Sequence, residues 1–164
     1  MSRYVFIDMD GTICDFGDND GNCLREEFPK DYFLNKKPIK LAIDNIRKEF
    51  KDDFLYILSC SPSTASTTEK NLWLNKNFPE IPEYCRVFIP YPGGDKVSMI
   101  NQFINYYKLN PKDVVYIDDS VVMLKRMNRL GILCYHSSHF MVENWFLKKM
   151  CKVSIYYTRI VNLS

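Results

Sequence analysis

The chain has 164 residues, 46% of them hydrophobic and 26% charged, with a formal net charge of +2. That length suits one domain with a real core, and so small a charge argues against a polyanion-binding surface. Cys14, Cys23, Cys60, Cys85, Cys134 and Cys151 form no Cys-x-x-Cys pair, so reduced thiols in a cytoplasm are expected rather than a disulfide framework. No apolar stretch approaches the roughly 20 residues needed to span a bilayer. The N-terminus runs directly into a strand, so no secretory leader is expected.

Tyr4 to Ile7 is an apolar run that reads as a buried strand, and it ends on Asp8-Met9-Asp10-Gly11-Thr12. Gly11 marks the turn. Two carboxylates this close repel each other unless a cation lies between them, which makes Mg²⁺ the natural third party. Residues 13–37 are irregular and polar, but Phe16, Phe28, Tyr32 and Phe33 are interleaved among them. A loop of that length in a compact domain is usually functional or disordered, and the aromatic residues point to a small lid over the crevice.

Pro38 to Phe50 carries a helical apolar stripe, with Pro38 suited to the first turn. Phe54 to Leu58 is a second strand, followed by a hydroxyl-rich turn, Ser59-Cys60-Ser61-Pro62. Ser66 with Glu69 predicts a capping box on a helix that runs to about Phe78. Val87 to Pro90 is a third strand; Pro92 to Lys96 is a tight loop, and a helix is expected from Lys96 to about Tyr107.

Pro111 to Ile117 supplies a fourth strand that lands on Asp118-Asp119-Ser120. A helix from Val121 to Leu130 closes on Gly131, and Ile132 to Tyr135 is a fifth strand. Met141 to Met150 fits an amphipathic helix and Val153 to Tyr157 a sixth strand, within a C-terminal extension (137–164) of no readable role. Strands alternating with helices predict right-handed βαβ units. The expected fold is a single doubly wound α/β domain over 1–164, with a parallel sheet of about five or six strands.

The informative polar groups all follow apolar strands: Asp8 and Asp10, then Ser59, then Lys96, then Asp118 and Asp119. A parallel sheet gathers such ends on one edge, in one crevice. A nucleophile, a metal site, a cation and hydroxyl donors together suit phosphoryl transfer.

With these motifs the chain resembles the haloacid dehalogenase superfamily of phosphohydrolases over residues 3 to about 136. Asp8-Met9-Asp10-Gly11-Thr12 resembles its first motif, Ser59 its second, Lys96 its third and Asp118-Asp119 its fourth. Within the superfamily the likeness is nearest to the 5′(3′)-deoxyribonucleotidases of the cytosolic type-C group. Asp15-Phe16, Phe28-Pro29, Tyr32-Phe33, Glu69-Lys70 with Trp73, and Asp95-Lys96 support that likeness.

The resemblance implies a Rossmann-like fold with a small cap inserted after the first strand. Asp8 would attack phosphorus to form an aspartyl-phosphate, and Asp10 would serve as acid and then base. Mg²⁺ would be held by Asp8, the Asp10 main-chain carbonyl and Asp119, with Asp118 supporting it. Thr12 would orient Asp10. Ser59 and Lys96 would hold the phosphoryl oxygens, in a phosphate-binding set that takes in Met9, Cys60 and Ser61. Phe16 occupies the base-stacking position.

The chain departs from the family in two places. A Thr-Ser-Pro turn is common there, whereas aligning Ser61-Pro62 here puts Cys60 at the hydroxyl position; Ser59 fits only with one inserted residue, and Ser61 is the fallback. The lid is also short, which opens the site to other small phosphomonoesters. The expected activity is therefore a Mg²⁺-dependent phosphatase acting on nucleoside monophosphates. The alternatives are a phosphatase for a sugar phosphate or another metabolite, and an idle binder of a phosphorylated ligand. No nucleic-acid polymer or membrane partner is expected, and the oligomeric state is left open.

Overall fold

A computed structural model of the chain describes residues 2–16 and 28–143. Five strands form one sheet: β1 (Tyr4–Ile7), β2 (Phe54–Ser61), β3 (Arg86–Pro90), β4 (Val114–Asp118) and β5 (Leu133–His136). Four helices connect them: α1 (Lys40–Glu49), α2 (Thr64–Asn77), α3 (Lys96–Tyr107) and α4 (Val121–Asn128). The strand order is β3-β2-β1-β4-β5 and every pairing is parallel. The chain runs outward from β1 to β3, then crosses back to β4, so the order reverses between β1 and β4. That reversal makes the switch point at which α/β sheets open a crevice beyond their strand ends.

The alternation of side chains along each strand builds two cores. Val5, Ile7, Ile57, Val115 and Ile117 meet Ala42, Ile43 and Ile46 of α1 with Trp73 and Leu74 of α2 on one face. Phe6, Leu58, Val114 and Tyr116 meet Ile100 and Ile104 of α3 and Met127 of α4 on the other. The doubly wound architecture is thus as the sequence predicts.

Several local expectations shift. The helix expected from Pro38 begins at Lys40, and Pro38 instead bridges Cys14 at the base of the lid. β2 continues through Ser59-Cys60-Ser61, because those residues pair with Phe88, Ile89 and Pro90 of β3 and the hydrogen-bond ladder outweighs their turn propensity. The cap of α2 is Ser63, whose hydroxyl accepts from the Ser66 amide; Ser66 lies inside the helix and is buried. The strand expected from Pro111 opens instead with a 3₁₀ turn at Pro111–Asp113. The expected helix to Met150 and strand at Val153–Tyr157 lie outside the described residues, except for Met141–Glu143, which form no helix.

The described ends of the segment expected to form a lid are joined by hydrogen bonds. Asp15 and Lys37 exchange two hydrogen bonds, Ile39 donates to the Ile13 carbonyl, and the Tyr32 hydroxyl donates to the Phe16 carbonyl. No helix among the described residues is long and apolar enough to cross a membrane.

Candidate active site

Asp8 follows β1 directly and is buried, with its amide donating to the Ile117 carbonyl of β4 (2.8 Å). Lys96 opens α3, where Asp95 caps the helix through the Val97 and Ser98 amides. A cation in a helix's first turn opposes the helix dipole. Here two carboxylates offset that cost, since Lys96 Nζ lies 2.7 Å from Asp8 Oδ1 and 3.1 Å from Asp118 Oδ2. Burial works against the charge on Lys96, but Asp8 and Asp118 outweigh it and hold the group above its ordinary value.

Asp118 ends β4 with both oxygens engaged. Oδ1 accepts from the Ser120 amide (2.7 Å), and Oδ2 accepts from the Tyr116 hydroxyl as well as from Lys96. Asp119, the next residue, is half-buried. Asp8, Asp118 and Asp119 each place a carboxylate oxygen within 4.8 Å of the others. An all-oxygen set of this size fits a hard divalent cation such as Mg²⁺. Without a cation the crowding is unfavourable: burial, then Asp118 and Asp10, push Asp8 up to about 6 against the pull of Lys96. Burial and Asp118 likewise raise Asp119.

Asp10 stands apart from this cluster. Its carboxylate is gripped by Lys36 Nζ on Oδ1 and Lys70 Nζ on Oδ2, each at 2.6 Å. Burial pushes Asp10 up, yet Lys70 and Lys36 together prevail and hold it below the ordinary carboxylate range. The Asp10 carboxylate is therefore engaged by lysines and is not one of the clustered carboxylates.

Neither lysine was assigned a role from sequence, because an isolated Lys normally reads as a solvated residue. For Lys70 the burial shows once α2 is folded. The helix's buried positions are Ser66, Lys70, Trp73 and Leu74, so a lysine sits on the stripe that faces inward. The same helix holds the lid. Glu69 accepts from the Asp31 and Phe33 amides (2.8 and 2.9 Å), and Trp73 Nε1 donates to the Lys36 carbonyl (2.7 Å). Glu69 thus serves the lid, not a capping box with Ser66.

Ser59, Cys60 and Ser61 have different surroundings. Ser59 Oγ is buried and lies 3.0 Å from Lys70 Nζ, while Lys70 also donates to the Cys60 carbonyl at 2.7 Å. Ser61 Oγ donates to the Ser63 carbonyl and accepts from Thr67, so it stabilises the entry to α2. The Cys60 thiol is held up by burial, with Lys96, Asp8, Lys70 and Asp10 all near enough to act on it. The carbonyl of Met9 accepts from the Thr12, Ile13 and Cys14 amides and so closes the turn. The buried Thr12 hydroxyl has no hydrogen-bond partner among the described residues.

Phe16 is 60% exposed beside this turn. Gly11 has φ +71°, and a Cβ there would fall 2.3 Å from the Phe16 ring and 2.9 Å from the Asp119 carboxyl carbon. Only glycine lets the ring and the carboxylate come together over the turn.

No family model matches the chain, and no curated protein matches it by sequence. Solved structures do. A haloacid dehalogenase-like hydrolase of Streptococcus pneumoniae superposes with a TM-score of 0.57 at 15% identity, over 82% of this chain and 84% of the other. An uncharacterised protein of Listeria monocytogenes gives 0.53 at 16% identity over 82% and 77%. The D,D-heptose 1,7-bisphosphate phosphatase of Burkholderia thailandensis gives 0.52 at 14% identity over 80% and 75%. Likeness at this level establishes a shared fold, that of haloacid dehalogenase-like hydrolases.

Proposed function

We propose that the chain is a Mg²⁺-dependent phosphomonoesterase that works through a phosphorylated Asp8. The observation that carries this reading is Asp8 itself: a buried carboxylate 2.7 Å from a buried lysine, with Asp118 and Asp119 completing an oxygen cluster around it.

In the first half-reaction an Asp8 oxygen forms a bond to phosphorus as the bond to the leaving oxygen breaks. That oxygen takes a proton from Asp10. In the second half, water attacks phosphorus and gives its proton to Asp10, which releases Asp8 and inorganic phosphate. In the free site Asp10 is held as a carboxylate, the form suited to accept the water proton. The negative charge of a bound monoester beside Lys70 counters that lysine's pull and favours the protonated form that the first half needs.

Lys96 would hold both the nucleophile and a phosphoryl oxygen, with Ser59 and Cys60 assigned to the same phosphate-binding set; the Lys96 contact to Asp8 at 2.7 Å supports this. Asp8, the Asp10 carbonyl and Asp119 would hold Mg²⁺, with Asp118 fixed behind them by Tyr116 and Ser120. When bound, Mg²⁺ supplies neutralisation of the phosphoryl oxygens. Thr12, next to the turn, is assigned to orienting Asp10.

For the substrate we favour a nucleoside monophosphate of the kind taken by deoxyribonucleotidases. The exposed Phe16 ring at the mouth offers a stacking platform that tolerates different bases. A sugar phosphate is the second reading, favoured by the solved phosphatase of heptose bisphosphate that shares this fold. Phosphate release from a panel of deoxynucleoside and ribonucleoside monophosphates, sugar phosphates and p-nitrophenyl phosphate, with and without Mg²⁺, separates the two. Release concentrated on nucleotides supports the first, release concentrated on sugar phosphates the second, and none from any substrate overturns both.

A further inference from the structure

Two lysines grip Asp10, one on each carboxylate oxygen, and they are held differently. Lys70 would stay in place without Asp10, since Ser59 Oγ and the Cys60 carbonyl also accept from it. Lys36 is different. Its side chain is only 4% exposed, its one anionic partner among the described residues is Asp10 Oδ1, and its ammonium otherwise lies 5.1 Å from the ring centres of Tyr32 and Phe33. Burying an ammonium is costly unless it is paired, so the sequence commits a lysine of the lid to a single carboxylate of the site.

The backbone around Lys36 delivers it there. Trp73 Nε1 holds its carbonyl, Asp15 holds the amide of Lys37, and Glu69 holds the Asp31 and Phe33 amides at the other end of the turn. The Phe33 ring lies against both ammonium groups, 5.1 Å from Lys36 and 4.7 Å from Lys70. The Asp10 carboxylate is then held at both oxygens, one by the lid and one by α2, which fixes its rotation. Its side chain keeps 27% exposure.

From this arrangement we infer that Lys36 is a positioning residue for Asp10: by holding Oδ1 it sets the plane from which Asp10 exchanges a proton with the leaving oxygen. The inference rests on the phosphatase reading above. An acid–base group works only within a narrow range of distance and orientation. Without Lys36, Oδ1 keeps only the long contact from the Cys14 thiol (3.7 Å), so the carboxylate pivots about Lys70 and proton donation falls while nucleophilic attack by Asp8 does not.

That difference gives a test which a purely structural ion pair would not meet. An alkoxide leaving group needs the proton from Asp10, whereas p-nitrophenolate leaves without one. The value of kcat/KM, which reports on the chain's first half-reaction alone, is measured for an alkyl phosphate (β-glycerophosphate) and for p-nitrophenyl phosphate, on wild type and Lys36→Met. The expected result is a loss of about 100-fold on the alkyl substrate, the size typical of general acid catalysis, and of less than about tenfold on the aryl one. Glu69→Gln, which loosens the lid turn without touching Asp10, should show the same preference at smaller size, and it decides the matter if Lys36→Met does not fold. Equal losses on both substrates, or no loss on either, overturn the inference while leaving the phosphatase reading intact. A wild-type protein that turns over neither these two substrates nor any nucleoside monophosphate or sugar phosphate overturns the phosphatase reading instead.

Discussion

Replacing Asp8 with Asn should abolish turnover and, at the same time, make the metal-free protein more stable. Burial and the neighbouring carboxylates raise Asp8 from 3.8 to about 6, which means that the folded site disfavours its charge even with Lys96 alongside. The sign follows from linkage. A carboxylate raised in the folded state contributes stability that is fully present below pH 3.8 and is lost as pH rises through about 6. At about 1.36 kcal/mol per unit, the charged form costs up to about 3 kcal/mol at pH 8, and about half of that at pH 5. Asn removes the cost. For a domain of this size the melting temperature should therefore rise by roughly 6–12 °C at pH 8, with a smaller gain at pH 5. The assay is thermal unfolding of wild type and Asp8→Asn in EDTA across that pH range. A variant that melts below wild type at pH 8, or a gap that widens as pH falls, would refute the electrostatic reasoning.

Two further substitutions probe the supports. Gly11→Ala forces a side chain into a left-handed backbone position and against both the Phe16 ring and the Asp119 carboxyl. It should cost at least about 1 kcal/mol of stability and weaken Mg²⁺ binding, as read by thermal melts with and without the metal; a variant equal to wild type in both would discount the close approach. Tyr116→Phe deletes the hydroxyl that donates to buried Asp118 while Lys96 and Ser120 remain. A loss of about 1.5–3 kcal/mol is expected for a hydrogen bond to a charged group, measured by denaturant unfolding, and an unchanged midpoint would show Asp118 to be satisfied without it.

Much of this site could be read from sequence because its chemistry follows strands. Asp8, Asp118 and Asp119 come directly after apolar runs, and parallel pairing brings those runs to one edge. Lys96 entered by the same logic, one loop after β3. What sequence could not give was contact across the chain without a periodic signal. Lys36 and Lys70 reach Asp10 from 26 and 60 positions away. Their burial is visible only once α2 has packed.

Glu69 shows the same limit from the other side. Its spacing from Ser66 satisfies a local capping rule, but the lid's backbone amides, which are tertiary partners, claim the carboxylate. Ser59-Cys60-Ser61 has turn composition, yet pairing with β3 extends the strand through it. Local propensity lost to the ladder there, so Ser59, Cys60 and Ser61 sit on a strand rather than on a loop.

The central claim is that Asp8 is the nucleophile of a Mg²⁺-dependent reaction. The most direct measurement is mass analysis of the Asp8-containing peptide after rapid acid quench during turnover of p-nitrophenyl phosphate, in wild type and Asp8→Asn, with Mg²⁺ or EDTA. The account predicts a phosphoryl group on Asp8 in wild type with Mg²⁺, none in the variant, and none in EDTA. Sustained turnover by Asp8→Asn, or a phosphoryl group on any other residue, would contradict it.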